Sequence, residues 1–431
     1  MTIKKFSTYF IMTLLQMFII TAFGLLSLRE GFFDVRAIVW GFVLALYILL
    51  QYNMLRSAFR FMDQFVLLTA QFLFSLGMVM LYRMDPDAAI KQFAIYILST
   101  FVMIIAILII RKARDLQKYH VFYMICSLIL LIAPALIGRT IGGAKNWISI
   151  GGISIQPSEF AKVLYILVSA FYLNNKTTIR EFIPYVLFTG LCVLILIFEK
   201  DLGAALLICG TFIIMFLAAT GRVFLTGLGC MGIGLGAVLC AKLFPHVQNR
   251  VNVWRDPWSV YYEGGYQIVQ GLMALASGGL FGTGLGLGMP SYIPASTTDY
   301  IFAVIGEEFG IIVAIFVILF YVLLIVRGIL IAINARNTFD ALLVFGCCSM
   351  LALQSFIIIG GVIKLIPLTG ITLPFVSYGG SSLLISMMIS GLIGTLMYIV
   401  YPSSAFGDNS SAFSYAVIQT FAFHGLLFIN G

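Results

Sequence analysis

The chain has 431 residues, 61% hydrophobic and 10% charged, with a formal net charge of +8 and a mean hydropathy of +1.08. A soluble globular domain needs far more polar surface, so a water-soluble core is excluded and the bilayer is the solvent to reason in. The positive balance forms no nucleic-acid patch, because Lys and Arg sit in short clusters between apolar runs, as topology signals do.

Where no water reaches the backbone amides, apolar runs of about 20 residues imply helices rather than open sheets. The runs are continuous, unlike the alternation of a β-barrel. The sequence therefore predicts an all-α, polytopic membrane protein with about 12 transmembrane helices. In chain order they are expected near 10–28, 37–55, 64–82, 91–110, 119–137, 157–173, 181–198, 203–219, 223–244, 302–326, 339–363 and 376–401. The opening "MTIKK" leads into the first run without a small-residue cleavage site, which reads as a retained helix rather than a cleaved signal peptide.

An N-terminus on the cytoplasmic side puts Arg56, Arg60 and the basic run "RKARDLQK" at 111–118 on that side as well, in keeping with the positive-inside rule. Two long connections then face outward: "GRTIGGAKNWISIGGISIQ" at 138–156 and a large extracytoplasmic loop at 242–300. Long structured loops are where function concentrates. There is no GxxxxGK[ST] loop, and "GGLFGTGLGLG" at 278–288 does not fit GxGxxG, so it reads as flexible or re-entrant backbone. The seven cysteines lie inside apolar runs and the three histidines are far apart. Neither pattern suits a disulfide framework, a zinc site or a His-based triad.

A charge at the centre of a membrane helix costs roughly 2.5–3.5 kcal/mol, so those near the apolar runs need a reason. In "QPSEFAKVLYILV", Pro157 and Ser158 open a helix, and Glu159 and Lys162 share one face at i,i+3 spacing. They form either a pair at a helix N-terminus or a charged lining of a polar cavity. In "FEKDLGAALL", Asp201 follows a tight turn and suits an N-cap. In "HVQNRVNVWRDPW", Arg250 and Arg255 stand among Trp254, Trp258, Tyr261 and Tyr262. That grouping fits an anionic, amphipathic ligand and equally a membrane-interface belt. In "STTDYIFAVIGEE", Asp299 is either a solvated helix cap or a partly buried base, two environments with opposite effects on its pKa. Glu307 lies about 12 Å further along a helix, too far for a carboxylate dyad with Asp299. Glu307 and Glu308 read as structural.

Five stretches carry a resemblance: "GGAKNWISIGGISIQPSEFAK" at 142–162, "EKDLGAAL" at 199–206, "GGYQIVQGLMALASGGLFGTGLG" at 264–286, "TTDYIFAVIGEEFG" at 297–310 and "LIPLTGITLPFVSYGGSSLL" at 365–384. In this order they resemble the SEDS family (shape, elongation, division and sporulation), which includes FtsW, RodA and SpoVE. The resemblance implies a ten-helix core at about 64–401, two additional N-terminal transmembrane helices at 1–63 and a C-terminal tail at 402–431. It also implies a peptidoglycan glycosyltransferase of the bacterial cell membrane, polymerising lipid II at the outer face for cell division or cell-shape maintenance. A class B penicillin-binding protein is the implied partner. The family's essential aspartate falls on Asp299, implied as the catalytic residue and expected to act as general base.

The substrate-binding residues implied are Glu159 and Lys162 from "QPSE-x-x-K", Trp147 from "GA-x-x-W", Asp201 from "PDLG" (with Lys200 in place of the usual proline) and Arg250 before the "DP" loop. No metal ligands are expected from the chain itself, although a divalent cation (Mg or Mn) could assist at the lipid pyrophosphate. A lipid II flippase and a non-catalytic scaffold for a penicillin-binding protein are the alternatives, and no repeat between the two halves of the sequence supports the flippase.

Overall fold

The structure is a computed structural model, and it describes residues 2–28, 33–60, 62–112, 116–141, 144–150, 153–174, 178–335 and 337–395. The tail at 402–431 lies outside the described residues. In chain order the helices are α1 (Thr2–Ser27), α2 (Val35–Ala58), α3 (Gln64–Met84), α4 (Pro86–Lys112), α5 (His120–Ile137), α6 (Pro157–Leu173), α7 (Ile183–Phe198), α8 (Leu202–Thr220), α9 (Val223–Leu243), α10 (Pro245–Arg255), α11 (Tyr266–Gly278), α12 (Ile301–Ile333), α13 (Thr338–Val362) and α14 (Gly380–Thr395). Each of the twelve expected spans overlaps a helix, and residues 396–401 of the last lie outside the described residues. Among the described residues, ten helices are long and apolar enough to cross a membrane. The two outside that set are α6, with 17 residues, and α14, with 16.

Helix starts follow from local chemistry. Asp63 caps α3 by accepting from the amides of Phe65 and Val66 at 3.0 and 3.1 Å, and its other oxygen pairs with Arg327 at 2.8 Å. Asp34 does the same for α2 through the Arg36 amide. These carboxylates satisfy amides that have no partner within the helix.

The structure departs from the all-α expectation in one place. The connection at 138–156 holds a three-stranded antiparallel sheet, β1 (Arg139–Ile141), β2 (Ala144–Ile150) and β3 (Ile153–Ile155), in the order β1-β2-β3. Trp147 faces Arg139 in the register, and Ile148 faces Ile155. The cause is legible in the residues: Trp147 to Ile150 and Ile153 to Ile155 alternate polar and β-branched side chains around Gly151-Gly152, a hairpin pattern. The loop expected at 242–300 is likewise ordered, with α10 and α11 inside it.

The chain divides into two compact units, each described by itself. The first contains Met1–Ala106, Arg250–Arg327 and Gln354–Thr395. Its core is α14, buried along its described length, packed on α3. The α1 and α2 helices pack on each other and on α3, and leave Phe10, Leu14, Phe42 and Leu46 exposed, as lipid-facing apolar side chains are. The second unit contains Ile107–Asn249 and Gly328–Leu353. There α6 packs against α5 and α8, with the buried Tyr165 and Tyr185 hydroxyls satisfied by Thr189 and Ser169 at 3.0 and 2.9 Å.

In the first unit, α12 is broken at Gly310, whose φ of 82° and ψ of 172° are non-helical. The glycine-rich stretch at 278–288 is spliced into that break. The Ile311 and Ile312 amides, which an unbroken helix would aim at the Glu307 and Glu308 carbonyls, donate instead to Gly279 O and Leu280 O at 2.9 and 3.3 Å. The Glu307 and Glu308 carbonyls accept instead from Thr283 N and Gly284 N at 2.9 and 3.0 Å. Such an exchange needs backbone close to backbone and left-handed φ, which Gly279, Gly282 and Gly284 supply at 54°, 83° and 108°. Re-entrant backbone in a membrane protein is tolerated where its polar groups are satisfied within the protein, as here.

Candidate active site

The residues singled out in the sequence fall into two groups. In the first unit, Asp299 precedes α12 on a turn and is half-buried. It is not the helix cap: Tyr300 O accepts the first helical bonds, from Ala303 N and Val304 N at 2.9 and 3.2 Å. Its carboxylate is thereby left for other work. The turn is clamped to the 363–379 loop through Thr297 O, which accepts from Tyr378 N at 2.9 Å, and Thr298 O, which accepts from Ser377 Oγ at 2.6 Å. Ser377 is held in turn by Gln92, whose Nε2 donates to Ser377 O at 3.1 Å. Gly370, at φ 73°, lies where an added Cβ would sit 3.8 Å from Asp299 Oδ2.

Burial pushes the Asp299 carboxyl up to about 6, while a hydrogen bond with Thr298 and the positive charge of Arg250 pull it back down. Arg250, on α10, is anchored by donating from Nη1 to Leu368 O at 3.3 Å, and Trp254 Nε1 donates to Lys364 O at 3.0 Å. The structure thus brings Asp299 and Arg250 together around one loop. Next to Asp299 in the chain, the fully buried Tyr300 packs against Gly271 of α11, where a Cβ would collide with Tyr300 Cε1 and Cδ1. We expect Gly271→Ala to cost about 1–3 kcal/mol by overpacking, read as a lowered thermal midpoint of the purified protein; an unchanged midpoint would show that this contact yields easily.

The second group lies in the second unit. Asp201 caps α8 by accepting from Ala204 N at 3.0 Å. Its Oδ2 gathers Asn146 Nδ2 at 2.9 Å, Gln156 Nε2 at 3.0 Å and Ser158 Oγ at 3.2 Å. It therefore joins the β2 strand, the start of α6 and the start of α8 at one point. Trp147, half-buried, is the β2 neighbour of Asn146. Glu159 and Lys162 pair at 2.7 Å, with side chains 8% and 2% exposed. Of the two sequence readings, this geometry matches the ion pair at a helix N-terminus.

Sequence reasoning missed the supporting residues: Asn146, Gln156 and Ser158 around Asp201, and Gln92, Gly370 and Ser377 around Asp299. Asn146, Gln156 and Ser158 each adjoin a residue already singled out, which was the available signal. Gln92 carries none, since a lone amide in an apolar helix has no pattern. Among the described residues no group of three or more His, Cys, Asp or Glu side chains could hold a metal ion.

The sequence model of the FtsW/RodA/SpoVE family, described as "cell cycle protein", matches residues 59–400. The chain belongs to this family. Among its relatives, the peptidoglycan glycosyltransferase RodA of Mycobacterium leprae (strain TN) is 35% identical over 362 residues, covering 78% of each chain. The probable peptidoglycan glycosyltransferase FtsW of Geobacter sp. (strain M18) is 34% identical, covering 77% of this chain and 95% of its own. Stage V sporulation protein E of Bacillus subtilis (strain 168) is 39% identical over 277 residues, covering 62% and 74%. Among solved structures, a chain from a peptidoglycan synthase complex that coordinates polymerization and crosslinking superposes with a TM-score of 0.68 at 26% identity, covering 79% of this chain and 99% of that one. RodA of Thermus thermophilus gives 0.58 at 26% identity, covering 79% and 98%. With its apolar helices, this FtsW/RodA/SpoVE member is a multi-pass membrane protein.

Proposed function

We propose that the chain is a peptidoglycan glycosyltransferase that polymerises lipid II into glycan strands, with Asp299 as its general base. The observation that carries this reading is geometric: the Asp299 carboxylate, not used as the α12 cap, stands within reach of the Arg250 charge on a backbone segment clamped by Ser377 and Tyr378, where burial raises it to about 6. A base with that pKa is mostly ionised at neutral pH yet basic enough to accept a proton. Asp299 takes the proton of the acceptor sugar's C4 hydroxyl. The oxygen forms a bond to the anomeric carbon of the growing donor with inversion. The donor's bond to lipid pyrophosphate breaks, and the pyrophosphate leaves with the electron pair while Asp299 returns its proton to solvent. The donor supplies the driving force, so no nucleotide is consumed. Arg250 stabilises negative charge developing on the leaving pyrophosphate.

Trp147, Glu159, Lys162 and Asp201 take the substrate-binding role that the family resemblance gives them. The buried Glu159–Lys162 pair and the bonds of Asp201 to Asn146, Gln156 and Ser158 suit holding a binding surface in shape. The N-terminus is cytoplasmic and residues 242–300 face outward, where lipid II is polymerised. Residues 64–401 form the catalytic core, and the helices at 1–63 are an addition to it. A class B penicillin-binding protein crosslinks the product, a pairing supported by the likeness to a synthase complex of polymerization and crosslinking. The role is cell shape or division, as with RodA and FtsW relatives.

The pH dependence tests the base. The protonated carboxyl cannot accept a proton, so the polymerisation rate should rise with pH through about 6 and level off above it. A rate independent of pH between about 5 and 7 would remove Asp299 from that role.

A further inference from the structure

In the first unit, a cavity of about 640 Å³ is lined by Tyr261, Tyr262, Gly264, Tyr266, Gln267 and Pro294. Its volume is within the ~300–1,000 Å³ of ordinary ligand pockets. Tyr261 stands edge-on to Tyr262 and to Tyr266, with ring centroids 5.1 and 5.3 Å apart and interplanar angles of 88° and 80°. Edge-to-face packing fixes the rings relative to one another, and Tyr262, 96% exposed, keeps a ring face open. Tyr261 is fixed by Gln270 Nε2, which donates to its hydroxyl at 3.2 Å. A shallow wall of aromatic faces with phenol and amide groups at its rim matches a pyranose, whose C–H face packs on an aromatic ring while its hydroxyls need polar partners.

The cavity is physically joined to the Asp299 turn. Gln267 Nε2 donates to Pro294 O at 3.3 Å, Ala295 O accepts from Thr298 N and Tyr300 N at 3.1 and 3.2 Å, and Gly271 of the same helix supports the Tyr300 ring. We infer that this tyrosine-lined cavity is a saccharide subsite that holds the uncharged sugar rings of the glycan strand while the next sugar is added. The inference rests on the glycosyltransferase reading. It adds a place for the polymer, distinct from the Asp299–Arg250 chemistry, and makes the enzyme processive by retaining product between additions.

The test uses the full-length protein with its copurifying partner. Tyr262→Ala should shorten the glycan strands made from lipid II, and should weaken binding of a lipid-free GlcNAc–MurNAc tetrasaccharide, followed by NMR, about three- to tenfold. Tyr262→Trp, which keeps a stacking face, should restore both. The binding measurement is repeated on Asp299→Asn protein, which makes no polymer; tetrasaccharide bound there and lost on adding Tyr262→Ala supports the subsite whatever becomes of the base. Unchanged strand length and unchanged tetrasaccharide binding in Tyr262→Ala would overturn it. So would intact tetrasaccharide binding with loss of the copurifying protein, which would mark a protein-docking surface, or with poorer membrane insertion alone, which would mark an interfacial aromatic belt.

Discussion

Replacing Arg83 by alanine is expected to destabilise the protein by about 3–5 kcal/mol, because it strands a buried carboxylate. Arg83 Nε lies 2.6 Å from Glu308 Oε1, with the two side chains 6% and 0% exposed. The same guanidinium donates from Nη2 to Gly286 O and Gly288 O at 3.1 and 2.7 Å. Glu308 Oε2 accepts from Gly286 N at 3.0 Å, and Glu307 Oε1 accepts from Met289 N at 3.0 Å. Arg83, the two glutamates and the glycine stretch are therefore one fastening at the break in α12. Without the cation, buried Glu308 loses its counter-ion and two carbonyls lose their donor. Thermal unfolding in detergent should show a midpoint lowered by several degrees, and the double change Arg83→Met with Glu308→Leu should recover much of the loss. An Arg83→Ala midpoint equal to wild type would mean that the fastening carries no stability.

Asp299→Asn is expected to lower polymerisation by about 10²–10⁴-fold, the usual contribution of a positioned general base. Asparagine nearly matches aspartate in shape and keeps a side-chain acceptor for Thr298, so the turn clamped by Ser377 and Tyr378 should stay in place. The thermal midpoint should hold or rise slightly, since the change removes a charge that burial disfavours. Loss of rate without loss of stability separates a chemical role from a structural one. A comparable fall in both would assign Asp299 to the fold.

The helices were legible in the sequence because unbroken apolar runs leave the backbone no alternative in a bilayer. Pro157 at the first turn of α6 and Asp201 before α8 marked their helix starts correctly. The β1–β3 sheet lies within the 138–156 connection, where the period-2 residues around Gly151-Gly152 are its only local mark in the sequence. For Asp299 the sequence offered a cap or a base, and only the fold could separate them: Tyr300 O opens α12, which no local rule about Ser296 to Asp299 foretold. Glu307 and Glu308 read correctly as structural. Their partner Arg83 lies over 200 positions from the glycine loop it binds, and a pairing at that separation leaves no trace in a single sequence. The same limit hid the contact between Arg250 and the 363–379 loop.

Product analysis of purified, detergent-solubilised protein and its partner given labelled lipid II separates a glycosyltransferase from a flippase. Detergent abolishes membrane sidedness, so a flippase yields no polymer under these conditions, whereas a glycosyltransferase does. The wild-type chain should give a ladder of glycan strands, and Asp299→Asn none at equal protein and equal thermal midpoint. A full ladder from Asp299→Asn, or no polymer from a folded wild-type complex, would contradict that expectation.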